Sequence, residues 1–185
     1  MGLEKTFQHL ATQSQKLNDA LNELCVSIGD HPREGDVVLT DMLADAVEDL
    51  LGWQAELEGA AAEAQRAVGH PLDLDRARRA LALCQEQLNR SSKRFSSEIT
   101  AYERMEALTG LGRERGGEWQ DWADIVKETI DRCQEAMYDV NDALFQCWQE
   151  MTERLGLTTV SVHSTNIGQQ VTVPKEQEYA RERYP

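Results

Sequence analysis

Apolar residues recur at alternating steps of three and four residues along most of this chain, and this spacing restricts the folds available to it. Steps of three and four bring side chains onto one face of an α-helix. The first segment therefore predicts a long amphipathic helix whose apolar face packs against other helices. Only Ser14 is polar among its repeating positions, which are Leu3, Phe7, Leu10, Ser14, Leu17, Leu21, Leu24 and Ile28.

Three more segments follow the same rule. The second runs from Leu39 to Ala67, the third from Leu74 to Met105 and the fourth from Trp119 to Met151. Asp73 stands where the N-cap of the third helix is expected. The glycine-rich stretch from Thr109 to Gly117 is predicted to connect the third helix to the fourth.

Four long helices with short connectors favour an up-down-up-down arrangement, because short loops make consecutive helices neighbours. We therefore expect an all-α fold, an elongated antiparallel four-helix bundle with coiled-coil-like heptads, formed by residues 1–155. The pattern does not distinguish pairing within a chain from pairing between chains. A monomeric bundle and a homodimer both stay open.

The rest of the chain, residues 156–185, changes from a helical period to a period of two. Alternating valines in two stretches, separated by Asn166-Ile167-Gly168, predict a short β-hairpin or an extended tail. A two-stranded hairpin is marginally stable by itself in water, so its apolar face needs a cover. We expect a partner or a second copy of the chain, and the side of the bundle is the alternative. The expected contact residues of this tail are Val160, Val162, Val171, Val173, Tyr179 and Tyr184.

The charge balance narrows the classes of partner. The chain has 19 Lys and Arg against 33 Asp and Glu, for a net charge of −14. Phosphate binding needs clustered basic residues, so we expect no nucleic-acid partner, and the same charge disfavours anionic membranes. No apolar run approaches the ~20 residues that cross a bilayer, so no membrane partner is expected. The basic residues of the third helix region are interpreted as compensation for acidic neighbouring helices.

Acidic residues on the fourth predicted helix form a stripe set apart from its apolar positions. They follow steps of three and four, which places them on one helix face. Such a stripe is usually a solvated surface, and its functional interpretation is a docking surface for a basic partner or a mimic of nucleic-acid phosphates. Its members are Asp121, Asp124, Glu128, Asp131 and Glu135.

The sequence lacks the motifs of site chemistry. It contains no Glu-x-x-His pair of a dinuclear carboxylate centre and no nucleophile elbow or phosphate-binding loop. The antiparallel arrangement puts Cys84 and Cys147 at a similar height with His9 not far away, so a metal cluster there is a second hypothesis. Small buried thiols are common core residues, and that interpretation is preferred. We expect no cofactor and no catalytic residues, and four widely spaced cysteines fit a reducing cytoplasm.

These observations predict a non-enzymatic interaction protein, an adaptor, scaffold or accessory subunit that docks on protein partners. Its charged helical faces and its C-terminal tail are the expected contact surfaces. Two alternatives come from other classes. One is a bundle that holds a metal or a small ligand, and the other is an acidic inhibitor that imitates nucleic-acid phosphates.

Overall fold

A computed structural model describes most of the backbone and the side chains of the principal helices. The backbone is described for residues 2–32, 37–92, 94–96, 99–155, 158–162 and 169–173. Side chains are described within residues 2–32, 41–90, 105–107 and 109–154.

The described chain is mostly helical, as the periodicity predicted. The longest helix, α5, has 38 residues and spans about 57 Å at 1.5 Å per residue. Across the described ranges, no helix combines the length and the apolar character needed to cross a membrane. The helices are α1 Leu3–Gly29, α2 Val37–Ala67, α3 Leu74–Ser92, α4 Ala101–Arg113 and α5 Glu118–Leu155, and the strands are β1 Arg94–Ser96, β2 Ile99–Thr100, β3 Thr158–Val162 and β4 Gln169–Val173.

The predicted apolar faces of α1 and α5 form much of the core. Every repeating position of α1 predicted from the sequence is buried, Ser14 included. In α5 every predicted position is likewise buried, so the three-and-four spacing identified both packing faces. The α5 positions are Trp119, Trp122, Val126, Ile130, Cys133, Met137, Val140, Leu144, Cys147 and Met151.

Helices α1 and α5 run antiparallel. Near one end the Ser27 Oγ and Thr129 Oγ1 atoms are 3.3 Å apart, and near the other end the Cys147 thiol lies 3.6 Å from the Thr6 carbonyl oxygen. The end of α1 therefore meets the beginning of α5. Helices α1 and α5 therefore pack side by side along most of their lengths.

The polar residue in the apolar face of α1 has a specific partner on α2. The Gln54 amide donates to the Ser14 carbonyl oxygen at 2.6 Å and contacts the Ser14 hydroxyl at 3.3 Å. Both residues are buried, and a buried polar group is costly unless it is hydrogen-bonded. The Gln54 amide therefore provides a hydrogen-bond partner for Ser14, the one polar residue among the repeating positions of α1.

The predicted third helix is two helices in the structure, so that prediction was wrong between residues 92 and 101. Helix α3 begins as expected, with Asp73 Oδ1 accepting a hydrogen bond from the Arg76 backbone N–H at 2.9 Å. It ends at Ser92, and the short antiparallel strands β1 and β2 separate it from α4. A helical spacing of apolar residues continues through this break, but the backbone there forms strands.

The predicted connector between the third and fourth helices was too long. Thr109 belongs to α4, where its hydroxyl donates to the Met105 carbonyl oxygen at 2.7 Å, and the helix continues to Arg113. The turn itself uses Gly116 and Gly117, whose φ angles are 71° and 58°. These positive values favour glycine because a Cβ atom strains the left-handed region.

The tail contributes two paired strands to the described backbone. Strand β3 pairs antiparallel with β4, and the register runs from Thr158 opposite Val173 to Val162 opposite Gln169. The residues that join the strands, and Tyr179 and Tyr184 beyond them, lie outside the described residues. The predicted hairpin and its apolar contacts therefore stay predictions.

Two residues of α1, one buried and one exposed, test the assignment of its buried face. Leu24 is fully buried, whereas Val26 is 63% exposed. We expect Leu24→Ala to lower the free energy of unfolding by about 2 to 5 kcal/mol, because it leaves a cavity in the core. Val26→Ala should change it by no more than about 0.5 kcal/mol. Urea unfolding followed by circular dichroism measures both, and equal effects would contradict the assigned core.

Candidate functional site

The acidic stripe predicted on the last helix lies on the surface of α5. All five of its carboxylates are exposed, and the buried residues of α5 occupy the opposite side of the helix. We call this surface the outward face of α5. It comprises Asp121, Asp124, Glu128, Asp131, Glu135, Tyr138, Asp142 and Phe145.

Two carboxylates of the outward face are compensated by basic residues. Asp124 accepts a hydrogen bond from Arg113 Nε at 2.6 Å. Asp131 accepts one from Lys127 Nζ at 2.8 Å, and Lys127 also binds Glu106. These hydrogen bonds to Asp131 and Glu106 raise the pKa of Lys127.

Most other acids of α5 have no such compensation. Residues 118–155 contain ten acidic and three basic residues. Among the described side chains, six exposed carboxylates of α5 have neither an ion pair nor a hydrogen bond. They are Glu118, Asp121, Glu128, Glu135, Asp139 and Asp142.

Two acids of α2, Glu56 and Glu63, show the contrasting case, in which a carboxylate is paired with a basic residue of α3. Arg76 forms an ion pair with Glu63, and Arg90 lies 4.0 Å from Glu56. The hydrogen bond from Arg76 lowers the pKa of Glu63 below its ordinary value. Here the basic residues act as the sequence predicted, by compensating a neighbouring helix.

Two aromatic residues of the outward face were missed by the sequence reasoning. Tyr138 is 60% exposed and Phe145 is 43% exposed, although both belong to a helix with a large apolar face. They continue a seven-residue spacing that starts at Asp124 and Asp131. Because positions seven apart fall on nearly the same side of a helix, that spacing was the available signal.

A group of aromatic rings closes the bundle where α1 ends and α5 begins. Trp119 stacks on His31 with ring centroids 6.3 Å apart, meets Trp122 edge-on at 5.2 Å and carries the Arg115 guanidinium at 5.2 Å. The Trp122 indole N–H donates to the Ser27 carbonyl oxygen at 2.9 Å. Both tryptophans are buried, so this group stabilises the end of the bundle.

Shallow cavities of about 250 and 300 Å³ flank this aromatic group. The smaller lies between α1 and α2 and includes Cys25, His31 and Asp41 in its lining. The larger lies between α1 and α5 and includes Asp30 and Glu118. Both are open on one side, so they add small concave surfaces at this end.

The thiols of the second hypothesis, Cys84 and Cys147, are buried in the core, as is Cys133. Burial raises the pKa of Cys84 to about 12. Burial also raises the pKa of Cys147, and a smaller electrostatic effect of Cys84 acts in the same direction. A thiol must lose its proton to bind a metal, and these environments hold the proton in place. Both Cys84 and Cys147 therefore lie in an environment that favours neutral thiols.

The third member of that hypothesis, His9, is partly buried on α1 and its Nδ1 atom lies 3.5 Å from Gln13 Nε2. Within the described residues, no three His, Cys, Asp or Glu side chains are arranged to hold a metal ion. For the tail, the structure gives the backbone positions of Val160, Val162, Val171 and Val173 and no description of their side chains.

Comparison of the chain with protein-family models, with curated proteins and with solved structures finds no match. Inference about function therefore rests on the geometry and charge of the described surfaces.

The burial of the cysteines predicts a graded chemical reactivity. Cys25 is exposed, whereas burial raises the pKa of Cys84 and of Cys133 to about 12. At pH 8 we expect a thiol reagent such as dithionitrobenzoate to modify Cys25 rapidly and the three buried thiols only after denaturation. The measurement is the released chromophore with and without guanidinium.

The same pKa shifts predict a pH effect with a definite sign. The folded state holds the protons of Cys84 and Cys133 more tightly than the unfolded state, so their contribution to stability is complete below about pH 8.5. This contribution to stability is lost as pH rises toward 12.

For the thiol-reagent experiment, rapid reaction of all four cysteines in native protein at pH 8 would contradict the buried thiol environments.

Proposed function

We propose that this protein is a non-enzymatic interaction protein, an adaptor, scaffold or accessory subunit that binds a protein partner through the outward face of α5 and its C-terminal tail. The observation that carries the proposal is that four of the six carboxylates on the outward face, Asp121, Glu128, Glu135 and Asp142, have no partner among the described side chains. The acids of α2 that face α3 are paired instead. An acidic face that is compensated at only two of its six carboxylates creates a field that attracts and orients a basic partner.

The arrangement of the helices supports this use of α5. Helices α3 and α4 both contact α2 and α5. We propose that α3 and α4, placed end to end, together take the place of one helix in a four-helix bundle. With α1 on one flank of α5 and α4 on the other, the remaining side of α5 faces outward. A rigid helix held along its length presents a surface that needs little ordering on binding.

The exposed aromatic residues favour a protein partner over phosphate mimicry. A mimic of nucleic-acid phosphates needs regularly spaced charge, whereas Tyr138 and Phe145 add apolar area between the carboxylates. Aromatic residues are enriched among those that contribute most to protein interfaces. The metal-holding alternative is less well supported, because within the described part of the chain no three His, Cys, Asp or Glu side chains are arranged to hold a metal ion.

The tail is proposed as the second contact element. The register pairs Val160 with Val171, and Val162 and Val173 lie two residues along each strand. Positions two apart share one face of a strand, so this register is compatible with an apolar face formed by the four valines. We propose that a partner or a second copy covers this face.

Neutralising the outward face should abolish partner capture from an extract of the native host. We expect the triple variant Glu128→Gln, Glu135→Gln and Asp142→Asn to lose a protein that the unchanged chain retains, because long-range attraction disappears. The matched control changes Asp45, Glu48 and Asp49 of α2 in the same way, since these acids are also exposed. Mass spectrometry of the two eluates identifies the difference. Equal retention by both variants would contradict the proposal.

Removing the tail should separate folding from binding. We expect deletion of residues 157–185 to leave helicity and thermal stability nearly unchanged, because the buried core of the described side chains lies almost entirely in the helices. Partner binding or self-association should be lost. Circular dichroism and analytical ultracentrifugation measure the two properties, and unfolding or precipitation of the shortened chain would show that the tail is structural.

A further inference from the structure

The aromatic pair on the outward face of α5 has a definite geometry. Tyr138 and Phe145 are seven residues apart, so they are separated by about 10.5 Å, or two turns, along the helix. Glu135 precedes the pair by three residues, and Asp142 lies between its members. The surface therefore alternates aromatic and acidic side chains over about three turns of helix.

From this pattern we propose that the outward face of α5 binds an amphipathic basic helix of a partner protein. The inference rests on the proposed function and specifies the chemistry of its partner. The partner helix would place aliphatic side chains seven residues apart against Tyr138 and Phe145. Lysine or arginine residues beside that apolar stripe would meet Glu128, Glu135 and Asp142.

The secondary structure of α5 favours a helix over an extended peptide as the ligand. The backbone N–H and C=O groups in the interior of an α-helix are bonded to each other, so α5 offers no edge to which a strand can be added. Its contacts must come from side chains. Side chains spaced at three, four and seven residues fit into the grooves of a second helix.

Charge argues against a second copy of this chain on the same face. A twofold dimer would bring the outward face against itself, so that Glu135 and Asp142 would face the carboxylates of the other copy. The chain as a whole carries a net charge of −14, which adds repulsion. A basic partner removes this repulsion and compensates carboxylates that have no partner among the described side chains.

The probe for this proposal is a synthetic amphipathic peptide with leucine at heptad positions a and d and lysine at the flanking positions. A scrambled peptide of the same composition keeps the charge and loses the apolar stripe. We expect the full-length protein to bind the amphipathic peptide at least about tenfold more tightly, a difference of about 1.4 kcal/mol. Fluorescence anisotropy of labelled peptides measures both affinities.

The variants assign the binding to the proposed face. We expect Tyr138→Ala with Phe145→Ala to weaken binding of the amphipathic peptide about tenfold or more, an effect typical of interface hot spots. Leu83→Ala on α3, which removes a side chain that is 51% exposed, is the matched control and should have no effect. Circular dichroism verifies that each variant is folded, and Tyr138→Ala alone provides a milder test.

The possible results separate this inference from the proposed function. Equal binding of the scrambled peptide, or binding that is indifferent to the aromatic variants, would overturn the inference. If the triple carboxylate variant still loses a protein from the host extract, the proposed function stands and only the helical, apolar character of the partner is wrong. If the triple carboxylate variant retains that protein as well, both the inference and the proposed function fail.

Discussion

The antiparallel packing of α1 on α5 is the interaction on which the rest of the structure depends. It joins two helices that are far apart in the sequence through matched apolar faces, from the Cys147 thiol near Thr6 to the Ser27–Thr129 contact. Burial of such faces is the main favourable term in folding. Once α1 covers one side of α5, α2 and the pair α3 and α4 complete the core.

This packing also determines which surface of α5 reaches solvent. Side chains such as Val126 and Leu144 are buried in the bundle, so positions on the other side of the helix are exposed. Arg76 and Arg90 of α3 reach acids of α2, and Arg113 of α4 reaches Asp124. Tyr138 and Phe145 lie on the same face as the carboxylates of α5 that have no described partner. The proposed docking surface is therefore a consequence of how α5 packs.

The sequence predicted α1 and α5 well because a long, regular period leaves one way to bury the apolar residues. It failed at residues 94–96 and 99–100, where Phe95 and Ile99 continue a helical spacing but the backbone forms strands. Over so few residues, local preferences and tertiary contacts outweigh the period. The acidic stripe was visible from spacing alone. Its aromatic members were not identified, since exposure of Tyr138 depends on which neighbouring helices cover α5.

Disulfide formation between α1 and α5 tests the antiparallel packing most directly. The Ser27 and Thr129 hydroxyl oxygens are 3.3 Å apart, so cysteines at these positions should be close enough to form a bond. We predict that a chain with Ser27→Cys, Thr129→Cys and Cys25→Ser, mildly oxidised, yields a monomer with an internal disulfide. Peptide mapping and non-reducing electrophoresis detect it. A disulfide-linked dimer, or a monomer that retains both thiols, would contradict the packing of α1 on α5 within one chain.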